Sequence, residues 1–313
     1  MKIFKPHFWD KKIGFYSIIL FPITILVIFF IFLKRKLIIT RSFNLPIVCI
    51  GNIYLGGTGK TPLAIELAKE MEKRGKRPVI IKKYYNSQKD EHELIKNHFK
   101  NLILKKDRSN AINEAILNNF DIVILDDGFQ DYKIKKNLNI ICFNQNQLIG
   151  NGLIIPSGPL RESLDSLKKA QVVLINGEKD EIFEEKILRL NKNLKVFYSI
   201  YKPLNLEDFK DKKVVAFAGI GNPTNFFKLL EKNNLNIKKK FIYPDHYNFK
   251  KNEIINIINY AKQNICDILT TEKDFFRLKK YNFKEIKYLK LKLIIEKKEE
   301  FLNYIFKTYD QNN

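Results

Sequence analysis

Cysteine is scarce in this chain of 313 residues: Cys49, Cys142 and Cys266 are the three it has. They are scattered without the paired spacing of a metal site, and two fall inside expected strands, so they read as reduced core residues in a cytoplasmic setting. Internal repeats and low-complexity linkers are absent, which argues against a solenoid or a string of tethered modules. Acidic residues run short, with 34 Asp and Glu against 56 Lys and Arg, a formal net charge of +22. Such an excess attracts phosphates over a screening length of roughly 8 to 10 Å. The lysines are nevertheless spread rather than clustered, and no recognised nucleic-acid motif accompanies them, so nucleic acid is not an expected partner. An apolar share of 45% is ample for a buried core, and the length allows one large or two modest domains.

Charge is missing altogether from residues 15–33. At about 1.5 Å per residue a helix of this length approaches the thickness of the hydrocarbon core, so a membrane helix is expected. Lys11 and Lys12 precede it and Lys34, Arg35 and Lys36 follow, which leaves orientation open by charge alone. The run lacks a small-x-small cleavage site and leads into a basic stop, which favours a retained anchor over a signal peptide. Pro22 can kink or shorten the helix, so a segment dipping into one leaflet stands beside a full span.

The most informative stretch is Gly56-Gly57-Thr58-Gly59-Lys60-Thr61-Pro62, after an apolar run at 46–50 and at the head of a helical pattern. Glycines let successive N–H groups face an anion, Lys60 can reach outer phosphates, and Thr61 can hold magnesium. Tyr54 stands where the strict spacing wants a glycine, so the turn is expected at Gly56 and Gly57. The nucleotide-binding segment is taken as Tyr54, Leu55, Gly56, Gly57, Thr58, Gly59, Lys60 and Thr61. From Lys60 onward Leu63, Ala64, Leu67, Ala68 and Met71 share one helical face until Gly75.

Further strand-like runs lie at 78–82, 121–125, 138–143 and 171–175, with a connecting strand at 195–201. A second alternating set follows at 214–218, 239–243, 267–270 and 289–295, with helices near 225–232, 251–262 and 298–308. A helix at 111–118 is expected to be capped by Ser109. This alternation predicts an α/β fold, a P-loop NTPase-like, mostly parallel sheet flanked by helices, with a smaller C-terminal α/β lobe and an N-terminal membrane helix. The expected divisions are an anchor at 1–36, a core domain at 37–196 and a smaller domain at 197–313.

Asp126 and Asp127 end the apolar strand at 121–125, where ligands bind in open parallel sheets, and are the expected magnesium holders together with Thr61. Gly128-Phe129-Gln130 follows them. In Pro156-Ser157-Gly158-Pro159-Leu160-Arg161-Glu162 the prolines fix a loop that offers one charge of each sign, a rigid surface loop as readily as a binding loop. Asp90 and Glu91 lie in a polar segment, and His246 in Pro244-Asp245-His246-Tyr247. A kinase acting on a sugar hydroxyl benefits from a carboxylate with an imidazole in support. Thr271-Glu272-Lys273-Asp274 reads as a capped helix start.

In combination and order, these motifs, with Gly51-Asn52 before the loop and Ala218-Gly219-Ile220-Gly221-Asn222-Pro223 after it, resemble the tetraacyldisaccharide 4′-kinase (lipid A 4′-kinase) family of Gram-negative bacteria. The resemblance spans nearly the whole chain. It implies transfer of the γ-phosphate of ATP, with Mg2+, to the 4′-hydroxyl of a tetraacyldisaccharide 1-phosphate at the cytoplasmic face of the inner membrane. The implied partners are that acylated substrate and an anionic membrane surface. By resemblance Lys60 stabilises the transferring phosphate, Thr61 with Asp126 or Asp127 organises magnesium, and Asp90 with His246 handles the hydroxyl proton. Gln130, Arg161 and Glu162 would line the substrate cleft, and closure of two lobes would assemble it.

Two departures stand out. Lys82-Lys83-Tyr84-Tyr85-Asn86-Ser87 replaces the family's usual Ser-Arg-Gly-Tyr-Gly-Arg run, and Asp131 replaces the histidine that usually follows Gly-Phe-Gln. A membrane-tethered nucleotide switch or insertion-type GTPase is the alternative, though no Asn-Lys-x-Asp base-recognition motif is present. A basic membrane-surface protein with an inactive phosphate loop is the third reading.

Overall fold

The protein is described here from a computed structural model, over residues 5–310. The described residues fall into two compact units. One comprises Lys5–Tyr84, Phe99–Ile200 and the chain from Leu293 onward; the other comprises Tyr85–His98 and Tyr201–Lys292.

The larger unit is built on a sheet of β1 (Ile47–Gly51), β2 (Pro78–Lys83), β3 (Leu102–Lys105), β4 (Ile122–Asp126), β5 (Leu138–Asn144), β6 (Val172–Asn176), β7 (Lys195–Pro203) and β12 (Leu291–Ile295). The order across the sheet is β12-β7-β6-β5-β1-β4-β2-β3, and the pairs from β7 to β3 are parallel. Strands covered on both faces read as continuous apolar runs, and β1, β4 and β6 are buried at every residue. β1 lies between β4 and β5, so the sheet changes direction of growth there, the position where open α/β sheets bind ligands.

Helix α2 (Lys60–Lys73) buries Leu63, Ala64, Leu67, Ala68 and Met71, the face read from the periodicity. Helix α4 (Arg108–Leu117) starts earlier than expected, because the Asp107 carboxylate, not Ser109, accepts the Asn110 N–H. Strand β3 and helix α5 (Glu181–Leu190) were not anticipated: β3 is a short edge strand, and α5 buries little besides Phe183 and Ile187.

Helix α1 (Phe15–Leu37) is continuous through Pro22, long and apolar enough to cross a membrane, and mostly exposed. Its polar residues Ser17, Thr24 and Arg35 lie about two and about three turns apart, hence on one face. That face is tied to the larger unit. Asn151 Nδ2 donates to Ser17 Oγ at 3.1 Å, Thr24 Oγ1 donates to Ser157 Oγ at 2.8 Å, and Arg35 bonds Tyr132 and Glu162.

The smaller unit has a parallel sheet of β8 (Lys213–Ala218), β9 (Asn236–Ile242), β10 (Asp267–Thr271) and β11 (Ile286–Leu289), ordered β11-β10-β8-β9. Alternate residues of β8 feed two cores. Val215 and Phe217 pack with Ile254, Ile257 and Ile258 of α7 (Lys251–Gln263), while Val214, Ala216 and Ala218 pack with Phe226, Phe227 and Leu230 of α6 (Pro223–Lys232).

The chain passes from the larger unit to the smaller at 200/201, near the expected division at 196/197, and two other segments depart from that division. The run 289–295, expected as one strand, splits into the end of β11 and β12 in separate sheets. The chain then returns to the larger unit through α9 (Lys298–Asp310), whose Phe301 stacks edge-on to Phe197 and whose Lys298 pairs Glu66 and Glu70 of α2. Conversely α3 (Lys89–His98), drawn from between β2 and β3, belongs to the smaller unit. Its Asp90 and Glu91 form ion pairs with Arg277 and Lys273 of α8 (Glu272–Leu278), and His98 Nε2 is hydrogen-bonded to Glu272 at 2.9 Å.

Candidate active site

In the larger unit the segment after β1 is a glycine loop that runs into the N-terminus of α2. Gly56 takes φ +144° and Gly59 φ +91°, so the left-handed turns fall on Gly56 and Gly59, not on Gly57. A Cβ at Gly57 would meet nothing within 4 Å, which leaves that side of the loop bare for an approaching group. Asn52 Nδ2 donates to the carbonyls of Tyr54 (2.6 Å) and Gly56 (3.2 Å) and holds the loop from within. The Tyr54 ring is buried and its hydroxyl donates to Asp10 at 2.9 Å, so that side chain supports the N-terminal segment. The Leu55 amide donates to Pro159, joining the loop to 156–162.

Several cations gather around two carboxylates at the strand ends. Thr61 Oγ1 donates to Asp126 Oδ2 at 2.8 Å, and Lys60 Nζ lies 3.6 Å from Asp127 Oδ1. Burial pushes the Asp127 carboxyl up, but Lys60, Arg161 and Lys82 outweigh it and hold the group well below the usual carboxylate range. Asp126 Oδ1 and Thr58 Oγ1 are buried and have no hydrogen-bond partner in the protein. Buried polar atoms are normally satisfied, so these two point to a bound group. Thr61 and Asp126 offer a hydroxyl and a carboxylate, the hard oxygen donors magnesium prefers. Among the described residues no three His, Cys, Asp or Glu side chains converge as a metal cage.

Arg161 Nη1 donates to both Asp127 oxygens, at 2.9 and 3.2 Å. Gln130 Nε2 donates to the Asn52 carbonyl at 2.8 Å, so it braces the glycine loop from the neighbouring turn. Glu162 is 2% exposed and bonds Tyr132 and Arg35, which connects the end of α1 to this loop. Two buried cations, which the sequence pattern does not assign to the site, join these residues. Arg108 donates to the carbonyls of Asp126 (3.4 Å) and Asp127 (2.7 Å) and to Asp131 (3.2 Å), which neutralises the acid that replaces the family's histidine. Lys82 pairs with Asp126. Lys82 is a cation at the end of an otherwise apolar strand, which is a signal in the sequence, whereas Arg108 stands in the polar run 105–110 and gives none.

The smaller unit brings Asp90 and His246 together. His246 Nδ1 lies 3.3 Å from Asp90 Oδ1, and its Nε2 lies 3.7 Å from Glu91. Arg277 donates through Nε (3.0 Å) and Nη2 (2.6 Å) to the other Asp90 oxygen. Burial raises the Asp90 carboxyl, but the hydrogen bond to His246 and the charges of Arg277 and Lys273 hold it far below the usual range. His246 takes a left-handed φ of +53°, and its N–H donates to the Gly219 carbonyl at 3.1 Å. Asp274 completes the cluster: buried, it accepts from the Gly219 N–H (2.8 Å) and from Arg277 (2.5 Å), while Thr271 caps the helix by accepting the Asp274 N–H. Arg277 was not anticipated, because α8 was read only as a capped start.

A sequence profile described as Tetraacyldisaccharide-1-P 4'-kinase matches residues 16–309. The chain belongs to that family. A tetraacyldisaccharide 4'-kinase of Pelagibacter ubique is 41% identical over 100% of both chains. One from Rickettsia peacockii is 32% identical, over 90% of this chain and 92% of its own. Among solved structures, the Aquifex aeolicus LpxK crystallised in complex with ATP superposes with a TM-score of 0.73 at 22% identity, covering 94% of this chain and 100% of that one. That likeness is one of fold, and it agrees with the α/β class read from the strand and helix alternation.

Proposed function

We propose that this protein is an ATP-dependent lipid kinase that transfers the γ-phosphate to the 4′-hydroxyl of a tetraacyldisaccharide 1-phosphate. The observation that carries the reading is the head of α2, where Lys60 and Thr61 face Asp127 and Asp126. The glycine loop cradles the phosphates with its N–H groups, and Lys60 stabilises charge on the transferring group. Thr61 and Asp126 would hold magnesium, which neutralises phosphate charge. Arg161 and Lys60 keep Asp127 ionised beside it. Gln130, Arg161 and Glu162 belong to the same substrate cleft in this reading.

Asp90 accepts the hydroxyl proton. Two hydrogen bonds from Arg277 fix one oxygen and leave the other toward His246. A carboxylate held so far below its usual range is a weak base, yet phosphoryl transfer passes through a loose transition state in which the attacking hydroxyl loses its proton late. His246 then shares the proton and restrains the ring-facing oxygen. A nucleotide switch has no use for such a dyad, and the family match favours the kinase.

Dependence on ATP puts the catalytic units on the cytoplasmic side of the inner membrane. Ser17 and Arg35 are separated by about 27 Å of helix at about 1.5 Å per residue. Bonded to the larger unit at both these points and at Thr24, α1 is better suited to lie in one leaflet, its apolar side in lipid, than to cross. There it meets an acylated, anionic substrate. The test is Asp90→Asn: kcat for lipid phosphorylation should fall at least about a hundredfold while ATP affinity is kept. Retained turnover would remove Asp90 from the role.

A further inference from the structure

Strands β2 and β4 run side by side in parallel, and Lys82 is the register partner of Asp126. Its ammonium lies 2.7 Å from Asp126 Oδ2, the same oxygen that accepts the Thr61 hydroxyl at 2.8 Å. Both charges are withdrawn from solvent: Lys82 is 3% exposed and Asp126 fully buried. A positive charge thus rests on the carboxylate that, with Thr61, would hold magnesium, while Asp126 Oδ1 stays unpartnered.

We propose that Lys82 is a resident counter-ion of the metal position, so that a divalent cation reaches Asp126 Oδ2 and Thr61 only by displacing its ammonium. The inference rests on the reading of Asp126 as a metal holder. A buried carboxylate without a cation is costly, and Lys82 supplies one in the nucleotide-free state. Two cations cannot share Asp126 Oδ2 at contact distance without strong repulsion. Metal binding to the free protein is therefore weak, and the metal enters with the nucleotide, whose phosphates give both the ion and the released Lys82 a partner. Lys82 then joins Lys60 as a second positive charge at the phosphates.

The experiment is Mn2+ titration of the full-length, nucleotide-free protein, followed by electron paramagnetic resonance and by the shift in thermal unfolding. Lys82→Met and Lys82→Ser remove the charge; Lys82→Arg retains it. Either neutral variant should bind Mn2+ at least about tenfold more tightly than the parent, about 1.4 kcal/mol, with the arginine variant like the parent. The serine variant covers the event that methionine does not fold. Adding Asp126→Asn should abolish the gain. Affinities for the neutral variants within about twofold of the parent would overturn the role of Lys82 while Asp126→Asn still weakens binding. If Asp126→Asn changes nothing in any background, the metal position itself is misassigned and the proposal falls with it.

Discussion

Replacing Arg277 with methionine is the most informative perturbation of the smaller unit. The guanidinium is 11% exposed and contacts Asp90 (2%) and Asp274 (0%). Its removal leaves two carboxylates buried, Asp90 with His246 and Lys273 nearby, Asp274 with the Gly219 N–H and Thr271. Breaking a buried charge pair from one side costs roughly 3–5 kcal/mol, so denaturant unfolding should show a loss of that order. The pH dependence has a definite sign. Asp90 is depressed in the folded state, so it contributes stability above its unfolded value of about 3.9 that is lost as pH falls toward its folded value. Without Arg277 the folded value climbs, that contribution shrinks, and the acid limb of kcat/KM moves toward neutral pH by at least about one unit. Asp90→Asn in the same background should remove that limb, whereas Arg277→Lys should recover part of the stability. An Arg277→Met protein with the parent's stability and an unmoved acid limb would refute the claim that this guanidinium keeps Asp90 charged.

Lys60→Ala should lower phosphate transfer at least about a hundredfold by removing a fixed charge from the transferring group, with co-sedimentation with vesicles unchanged. Thr24→Val leaves the Ser157 hydroxyl and N–H without their buried partner, and should destabilise the larger unit by about 1–3 kcal/mol in denaturant unfolding. Burial pushes the Cys49 thiol up to about 11 and the Cys142 thiol up to about 12. A thiol reagent at neutral pH should therefore modify Cys266 alone in the native protein and all three cysteines after denaturation.

What could be read in advance was what local chemistry dictates. The strands at 46–50 and 121–125 are apolar on both faces, and the glycine loop with Lys60 and Thr61 is a contiguous motif, so its place at the carboxyl end of β1 followed from pattern alone. Pairings that depend on distant segments were not legible. Helix α3 has few apolar residues, and it holds its place through ion pairs with α8, some 180 residues away in sequence. The role expected for Asp90 accordingly rests on the family resemblance and not on its local pattern, which is that of one charge among many. Arg108, Lys82 and Arg277 were passed over because a cation in a helix or strand ordinarily faces solvent, and only the folded chain reveals that each is closed over a carboxylate or carbonyl. The place of α9 is hidden for the same reason: it follows the second set of strands in sequence yet buries Phe301, Leu302 and Ile305 in the larger unit.

The central claim is tested most directly by incubating the purified protein with γ-labelled ATP, Mg2+ and tetraacyldisaccharide 1-phosphate in mixed micelles, then locating the label. The account predicts a bisphosphorylated lipid carrying the label on the 4′-oxygen, and none with Lys60→Ala. Label found only as inorganic phosphate, or transfer supported by GTP in preference to ATP, would contradict it.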